Sequence, residues 1–261
     1  MLTEIISNIL LAMSALPILN YHNVAMAPTE APFKLLYVSP DSFERQLWTL
    51  RRLGLRGVST SEGIAGLNNG TSRGRVVFTF DDGYADTLNT AAPLLKSYGF
   101  TATCYVVSGA IGTFNRWDAD YLQERKPLMS RDQLDHWLAA GMEVGSHSLS
   151  HRRLHELPQD EARYEIAESR SSLSRMLGVP IEHFAYPFGQ FTADIVGLVR
   201  HAGYSSAMTV LPGVARASDD RLRLPRIFVN GERGLWKFLL QVATPYERLR
   251  WRRRPVDVRS E

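Results

Sequence analysis

The sequence predicts a parallel α/β barrel formed by one large domain. Over nearly all of its 261 residues, short apolar stretches with strand character alternate with stretches of helical periodicity. Two of the predicted strands run directly into chemically active side chains: Asp81 and Asp82 follow one, and His147 and His151 follow the other. Because the active sites of parallel barrels lie at the carboxyl ends of their strands, this pattern also predicts where the site lies.

The composition is that of an ordinary globular protein with a substantial core. Apolar residues make up 44% of the chain and charged residues 22%, and the net charge is +3. The body carries no basic stripe interleaved with aromatics, so nothing indicates a nucleic-acid partner. The single cysteine, Cys104, lies in a predicted strand, where we expect a buried thiol and no intramolecular disulfide.

Residues 1–15 precede the first predicted strand and are treated as an N-terminal extension. They are mostly apolar from Ile5 onward, but the stretch is too short to span a bilayer. Glu4 precedes it and no Lys or Arg does, which argues against a secretory signal. We therefore expect a cytoplasmic protein.

The first predicted strand, at 17–21, ends at His22, and the loop after it, at 24–38, is long enough to border a binding groove. The next helix begins at Ser39-Pro40, since proline suits a first turn, and ends at Gly54. The later predicted elements continue the alternation, with strands at 58–60, 76–80, 101–107, 205–210 and 222–229, a strand beginning at 143, and helices at 86–98, 130–141, 159–177, 192–202 and 233–251.

Two of these segments carry further expectations. The loop at 108–129 contains Phe114, Trp117 and Tyr121, which either stack on sugar rings or pack the loop onto the body. The charged side chains of the helix at 159–177 are expected to form a solvated face.

Asp81, Asp82, His147 and His151 supply one group more than a three-ligand catalytic zinc site requires. Adjacent aspartates cannot both point the same way, which favours a division of labour between a metal ligand and a base. Each pattern alone also fits a plainer interpretation, a tight turn for Asp-Asp-Gly and a solvated helix face or loop for the histidine pair. Because both patterns occur at predicted strand ends, a shared metal site is the favoured hypothesis.

The two patterns lie in the stretches Thr79-Phe80-Asp81-Asp82-Gly83 and His147-Ser148-Leu149-Ser150-His151. These stretches resemble the first two motifs of the polysaccharide deacetylases (the NodB-homology domain, carbohydrate esterase family 4). The resemblance implies a distorted, incomplete (β/α) barrel with a metal at the carboxyl ends of its strands. It also implies that Asp81 is the catalytic base and that Asp82, His147 and His151 bind a divalent metal. Zn²⁺ is the usual metal, and Co²⁺, Ni²⁺ or Fe²⁺ would fit the same ligands.

Two further motifs resemble the poly-N-acetylglucosamine deacetylase branch of that family. Tyr21-His22-Asn23-Val24 resembles its N-terminal motif, which implies that His22 is the catalytic acid. Phe184-Ala185-Tyr186-Pro187-Phe188-Gly189 resembles its third motif, which implies that the backbone N–H of Phe188 stabilises a tetrahedral intermediate. Many relatives carry an arginine where this chain has Ala185, so we expect Arg226 to approach Asp81 instead.

These expectations predict a hydrolase that removes N-acetyl groups from a polysaccharide or glycan intermediate containing N-acetylhexosamine, with a role in exopolysaccharide biosynthesis. An esterase or amidase on another acylated glycan and a catalytically silent glycan-binding module are the alternatives. The deacetylase domain is predicted to span 16–245, and 246–261 form a basic tail that either contacts an anionic membrane surface or is a solvated terminus.

Overall fold

The predicted barrel is present, and in the described part of the chain its wall consists of seven parallel strands, with an eighth outside the ring. The computed structural model describes residues 15–232, 234–244 and 246. The strands in these ranges are β1 (Ile18–Tyr21), β2 (Arg56–Val58), β3 (Arg75–Phe80), β4 (Thr103–Val106), β5 (Glu143–Ser146), β6 (His183–Ala185), β7 (Ser206–Pro212) and β8 (Leu224–Phe228).

Pairing of β1 with both β3 and β8 closes the ring. The strands between follow one another in chain order from β3 to β8, omitting none, whereas β2 pairs only with the first half of β3. The ring is irregular: β5 and β6 share a single pair of residues, Ser146 and Phe184, and a register shift separates Met208 from Pro212 along β7. The prediction of a distorted barrel is confirmed.

Helices connect the strands. They are α1 (Pro40–Arg52), α2 (Thr60–Asn68), α3 (Ala92–Ser97), α4 (Ala119–Leu122), α5 (Arg131–Ala139), α6 (Gln159–Leu177), α7 (Ala193–His201) and α8 (Leu235–Ala243). None of the helices in the described ranges has the length and apolarity needed to cross a membrane.

Local sequence explains where several helices begin. The Ser39 side chain accepts a hydrogen bond from the backbone N–H of Ser42, with Pro40 in the first turn of α1. Ser130 and Gln133 form a reciprocal capping box at α5. The helix predicted at 86–98 instead opens with a π-type turn, Thr87–Ala91, directly before α3. The proline in the first turn of α3 has no N–H to continue the ladder.

The C-terminal helix is shorter than predicted. It ends at Ala243, because Thr244 is extended, with φ of −139° and ψ of 162°. The basic tail lies outside the described residues apart from Tyr246, and 14 residues of the N-terminal extension, 1–14, lie outside them as well.

The barrel interior is layered, because alternate residues of each strand point inward. Cys104, by contrast, belongs to the larger core outside the ring, and it is buried as predicted. The middle of the barrel is apolar, and its buried cluster is Leu16, Ile18, Val58, Ile64, Leu67, Val77, Tyr105, Ala185, Met208, Ala215 and Leu224.

At the amino ends of the strands a polar group closes the barrel. Glu143 of β5 accepts hydrogen bonds from Thr103 and Ser61, and it lies 3.4 Å from His183 of β6. The carboxyl ends carry the candidate site, so the apolar layer separates two polar ends.

Candidate metal centre and catalytic site

A pocket of about 310 Å³ opens at the carboxyl ends of the strands. It brings together most of the side chains that the sequence singles out, although they come from four separate strand ends. The predicted site residues that line it are His22, Asp81, Asp82, His147, His151 and Phe188.

Asp82, His147 and His151 form a buried group that we call the ligand cluster. One ligand atom from each residue lies within 4.8 Å of the others. Oδ1 of Asp82 is 3.6 Å from Nε2 of His147 and 3.4 Å from Nε2 of His151. His147 Nδ1 is 2.8 Å from the carbonyl oxygen of Ala185. A carbonyl only accepts, so Nδ1 carries the proton and Nε2 presents its lone pair to the cluster.

The electrostatics of the ligand cluster fit a divalent cation. Burial raises the pKa of Asp82, and the charges of Asp118 and Asp81 raise it further. Burial also lowers the pKa of His147 and of His151, which keeps both imidazoles neutral and able to coordinate. In the described part of the chain no Lys or Arg forms an ion pair with Asp82. Burial and the neighbouring carboxylates thus disfavour the charged form of Asp82 in the free pocket, and a bound cation would stabilise that form. With two neutral imidazoles, the Asp82 carboxylate forms a suitable donor set for such a cation.

Arg226 lies against Asp81, as the sequence analysis expects. Its Nη1 and Nη2 donate to Oδ1 and Oδ2 of Asp81, each at 2.7 Å. Nε donates to the carbonyl oxygen of Thr209, and Nη1 also reaches Oγ1 of Thr79. The arginine is 1% exposed, so this fork-to-fork pair is fully enclosed.

The pair fixes the charge state of Asp81. Burial is the largest single influence and would raise the pKa of this carboxyl, but the charge and hydrogen bonds of Arg226, together with the electrostatic effect of His147, outweigh burial. The net result is a lowered pKa, so Asp81 is ionised at neutral pH. The guanidinium thereby fixes the orientation of the Asp81 carboxylate and stabilises its negative charge. It also lowers the proton affinity of that carboxylate.

His22 lines the pocket at the end of β1. Its ring packs edge-on against Phe228, with 5.8 Å between centroids. Burial lowers its pKa from 6.5 to about 4, partly opposed by the charge of Asp81. The imidazole is therefore neutral at neutral pH in the free pocket, and Nδ1 has no hydrogen-bond partner among the described residues.

Backbone strain concentrates at this pocket. Five non-glycine residues of the described chain have positive φ, and four belong to the site: Asp82 (73°), Ser148 (66°), His151 (61°) and Phe188 (57°). Such conformations are uncommon outside glycine and persist where surrounding contacts over-determine them. No sequence signal marks this strain, because the four residue types have no common turn signature.

Glu165 of α6 holds the strained loop between His147 and His151, and it contradicts the prediction that the charges of this helix are solvated. It accepts hydrogen bonds from the backbone N–H groups of Leu149 and Ser150, at 3.1 and 2.9 Å, and from the Ser150 hydroxyl. The side chain is 5% exposed. The prediction that the charges of this helix are solvated is wrong for Glu165, because the loop between the two histidines needs a buried acceptor for its N–H groups.

Aromatic rings surround His151. Trp117 stacks on it with 4.7 Å between ring centroids, and Phe188 packs edge-on at 4.6 Å. Tyr121 also lines the pocket and stacks on Phe33, whereas Phe114 is not part of the lining. Of the three aromatics in the predicted loop, two thus face the site.

The pocket includes residues that the sequence analysis did not identify. Asn20 lies on β1 two positions before His22, which directly follows the strand, so the strand alternation contained the signal for it. Asp118 and Tyr186 also line the pocket. Asp118 comes from the irregular loop before α4, where no periodicity predicts the direction of a side chain.

The barrel with a candidate metal site at the carboxyl ends of its strands agrees with the family to which the sequence itself can be matched. A model described as polysaccharide deacetylase matches residues 68–207, more than half of the 261-residue chain. The chain belongs to the polysaccharide deacetylase family.

Particular relatives are similar over most of the chain. YxkH of Bacillus subtilis, whose name assigns it provisionally to the same family, is 26% identical over 217 residues, which cover 82% of this chain and 71% of YxkH. The poly-beta-1,6-N-acetyl-D-glucosamine N-deacetylase of Staphylococcus epidermidis is 24% identical, over 82% of this chain and 78% of its own. The solved structure of IcaB from Ammonifex degensii has a TM-score of 0.74 at 26% identity, covering 88% of this chain and 95% of IcaB.

Proposed function

We propose that this chain is a divalent-metal-dependent N-deacetylase that acts on a glycan containing N-acetylhexosamine. The observation that carries the proposal is the meeting, in one pocket, of the ligand cluster and the Asp81 carboxylate held by Arg226. Relatives named as poly-beta-1,6-N-acetyl-D-glucosamine N-deacetylases support the choice of an N-acetylated polysaccharide or its biosynthetic intermediate, and with it a role in exopolysaccharide biosynthesis.

Asp82, His147 and His151 would hold the metal, and Zn²⁺ suits two imidazoles and one carboxylate best, although Co²⁺, Ni²⁺ and Fe²⁺ also fit. A cation bound there supplies Lewis acidity, which polarises a carbonyl oxygen and lowers the pKa of water. His147 needs its Nδ1–H bond to Ala185 to keep Nε2 available. The neutral state of both imidazoles lets them coordinate at neutral pH.

Asp81 acts as the general base in this proposal, and it accepts the proton of the attacking water. Its carboxylate is ionised and locked by Arg226, so it presents the same oxygens in every cycle. Arg226 is a positioning residue that takes over the orienting role which Ala185, without a polar side chain, cannot fill.

His22 acts as the general acid for the departing amine. Because the free pocket keeps its imidazole neutral, we propose that His22 takes up a proton from solvent as negative charge develops on the substrate, and passes that proton to the nitrogen of the departing amine. The backbone N–H of Phe188 stabilises that charge. Pro187 and Gly189 fix the backbone on either side of Phe188, which adopts a left-handed conformation with φ of 57°.

Product analysis tests the reaction. Zinc-loaded protein is incubated with short β-linked N-acetylglucosamine oligomers, and acetate and free amine are both measured. The proposal expects the two products in equal amounts. Acetate released only from O-acetylated glycans would identify the esterase alternative instead, and glycan binding without any acetate would identify the binding module. The cytoplasmic location and a membrane contact through 246–261 stay predictions.

A further inference from the structure

We propose that a groove beside the catalytic pocket binds an acidic group, a carboxylate or a phosphate, carried by the glycan next to the sugar that is deacetylated. This inference rests on the proposed function and specifies its substrate class. The groove has a volume of about 580 Å³ and shares Trp117, His151 and Phe188 with the catalytic pocket. A ligand that occupies the groove is therefore in contact with the residues that border the reacting group.

Three guanidinium groups line this groove, from Arg116, Arg152 and Arg153. Among the described residues of the lining, the one carboxylate is that of Glu156, whose Oε1 lies 4.0 Å from Nε of Arg153. The lining is therefore positive overall, although the chain as a whole carries a net charge of only +3. This local excess favours an anionic ligand.

Arg153 is held in place at the boundary between groove and pocket. Its guanidinium lies 4.3 Å from the centroid of the Phe188 ring, and Nη1 donates to Oε1 of Gln190 at 2.6 Å. Phe188 in turn packs on His151. One aromatic ring thus separates a positioned cation from a candidate metal ligand, so a bound acid lies close to the reacting sugar.

Arg116 and Arg152 are available to a ligand. Within the described residues Arg116 makes no ion pair, and its guanidinium lies 5.7 Å from the ring of Phe114. Arg152 pairs with Glu161 at 2.7 Å, but both side chains are about half exposed. Such an exposed pair contributes little, so a substrate acid can replace Glu161.

Guanidinium groups match the planar oxygens of carboxylates and phosphates through paired hydrogen bonds. A neutral N-acetylglucosamine homopolymer offers them hydroxyl and amide oxygens but no anionic partner. The geometry therefore favours a heteropolymer or a phosphorylated intermediate, in which a uronic acid or a phosphate neighbours the N-acetylated sugar.

Two substrates and one pair of variants test the kinetic consequence. The kcat/KM of zinc-loaded enzyme is compared between chitotetraose, which is neutral, and hyaluronan tetrasaccharide, in which uronic acids alternate with N-acetylglucosamine. We expect a preference for the acidic substrate of about tenfold, carried by KM, that weakens at about 0.5 M salt. The double variant Arg116→Gln/Arg152→Gln should lose that preference, and the control Arg163→Gln/Arg175→Gln, on α6 outside the groove lining, should keep it.

Direct binding separates a failure of this inference from a failure of the proposed function. Calorimetry on zinc-loaded protein uses ligands without acetyl groups: tetragalacturonate for the carboxylate, glucose 1-phosphate for the phosphate, and cellotetraose as the neutral control. Tighter binding of either acid, lost in the Arg116→Gln/Arg152→Gln variant, supports the groove even if no acetate is ever released. Equal binding of acidic and neutral ligands, or a preference that survives the double variant, overturns it.

Discussion

Both terminal nitrogens of Arg226 donate to the two carboxylate oxygens of Asp81, each at 2.7 Å, across 145 residues of sequence. The two residues occupy β8 and the end of β3, which both flank β1 in the ring. The paired hydrogen bonds therefore link β8 to the end of β3, where the proposed base lies, next to the strand that closes the ring.

Replacing Arg226 by lysine should reduce kcat by about 100-fold or more, because an ammonium cannot form the paired hydrogen bonds and leaves a buried carboxylate poorly held. Thermal unfolding of the same variant reports how much of the loss is structural. A variant with unchanged kcat on N-acetylglucosamine oligomers would remove Arg226 from the account.

Glu165→Gln should weaken zinc affinity by about tenfold, since the loop that carries His151 loses its charged acceptor. Glu168→Gln is the matched control on the same helix, because the partly exposed Glu168 pairs with Arg175 and makes no hydrogen bond to the described loop between the two histidines. The zinc dissociation constants of the two variants are compared by chelator competition. Equal constants for both variants would show that Glu165 does not position the ligand.

The close approach of Val210 to Gly189 predicts that alanine substitutions at two glycines differ in their effect on stability. A Cβ at Gly189 would lie 2.3 Å from Cγ2 of Val210, whereas a Cβ at Gly178 would meet nothing within 4 Å, although both residues have φ near 68°. Gly189→Ala should therefore destabilise the fold by about 1–3 kcal/mol more than Gly178→Ala does. It should also lower kcat, because Val210 lines the catalytic pocket.

Urea unfolding of both alanine variants, together with their kcat, checks this prediction. The Gly178 variant serves as the control for the backbone conformation alone. Similar losses of stability in the two variants would show that the contact with Val210 relaxes freely.

Glu143 predicts a dependence of stability on pH at the opposite end of the barrel. Burial would raise its pKa, but the hydrogen bond and charge of His183, with bonds from Ser61 and Thr103, outweigh burial and lower the pKa from 4.5 to about 2. The folded state therefore holds the ionised form more strongly than the unfolded chain does. This stabilisation, about 3 kcal/mol, is complete above about pH 4.5 and is lost as pH falls towards about 2.

Urea unfolding of the wild type and of Glu143→Gln at about pH 7 and about pH 2.5 measures that contribution. The variant should be less stable at the higher pH, and the difference should shrink at the lower pH. A difference of equal size at both values would contradict the assignment to Glu143.

Much of this molecule is predictable from its sequence. The strand–helix alternation predicts the barrel, and the placement of Asp81 and His147 after strands predicts the position of the site. The capping residues Ser39 and Ser130 mark true helix starts.

The remainder depends on contacts that no local pattern contains. The three-residue strand β6 is too short to show a period, and Glu165 looks like any surface glutamate until the loop above it is placed. Asp118 reaches the pocket from a loop without regular structure. The contact between Arg226 and Asp81 could be expected only from the family resemblance, because many relatives carry an arginine at the position of Ala185 and this chain does not.

A zinc titration combined with acetate release tests directly whether the protein is a metal-dependent deacetylase. Chelated protein, zinc-restored protein and zinc-treated Asp81→Asn are compared on N-acetylglucosamine oligomers. We expect one zinc per chain in the last two samples, and acetate only from the restored wild type. Acetate release that persists in the chelated protein, or no zinc binding at all, would contradict this expectation.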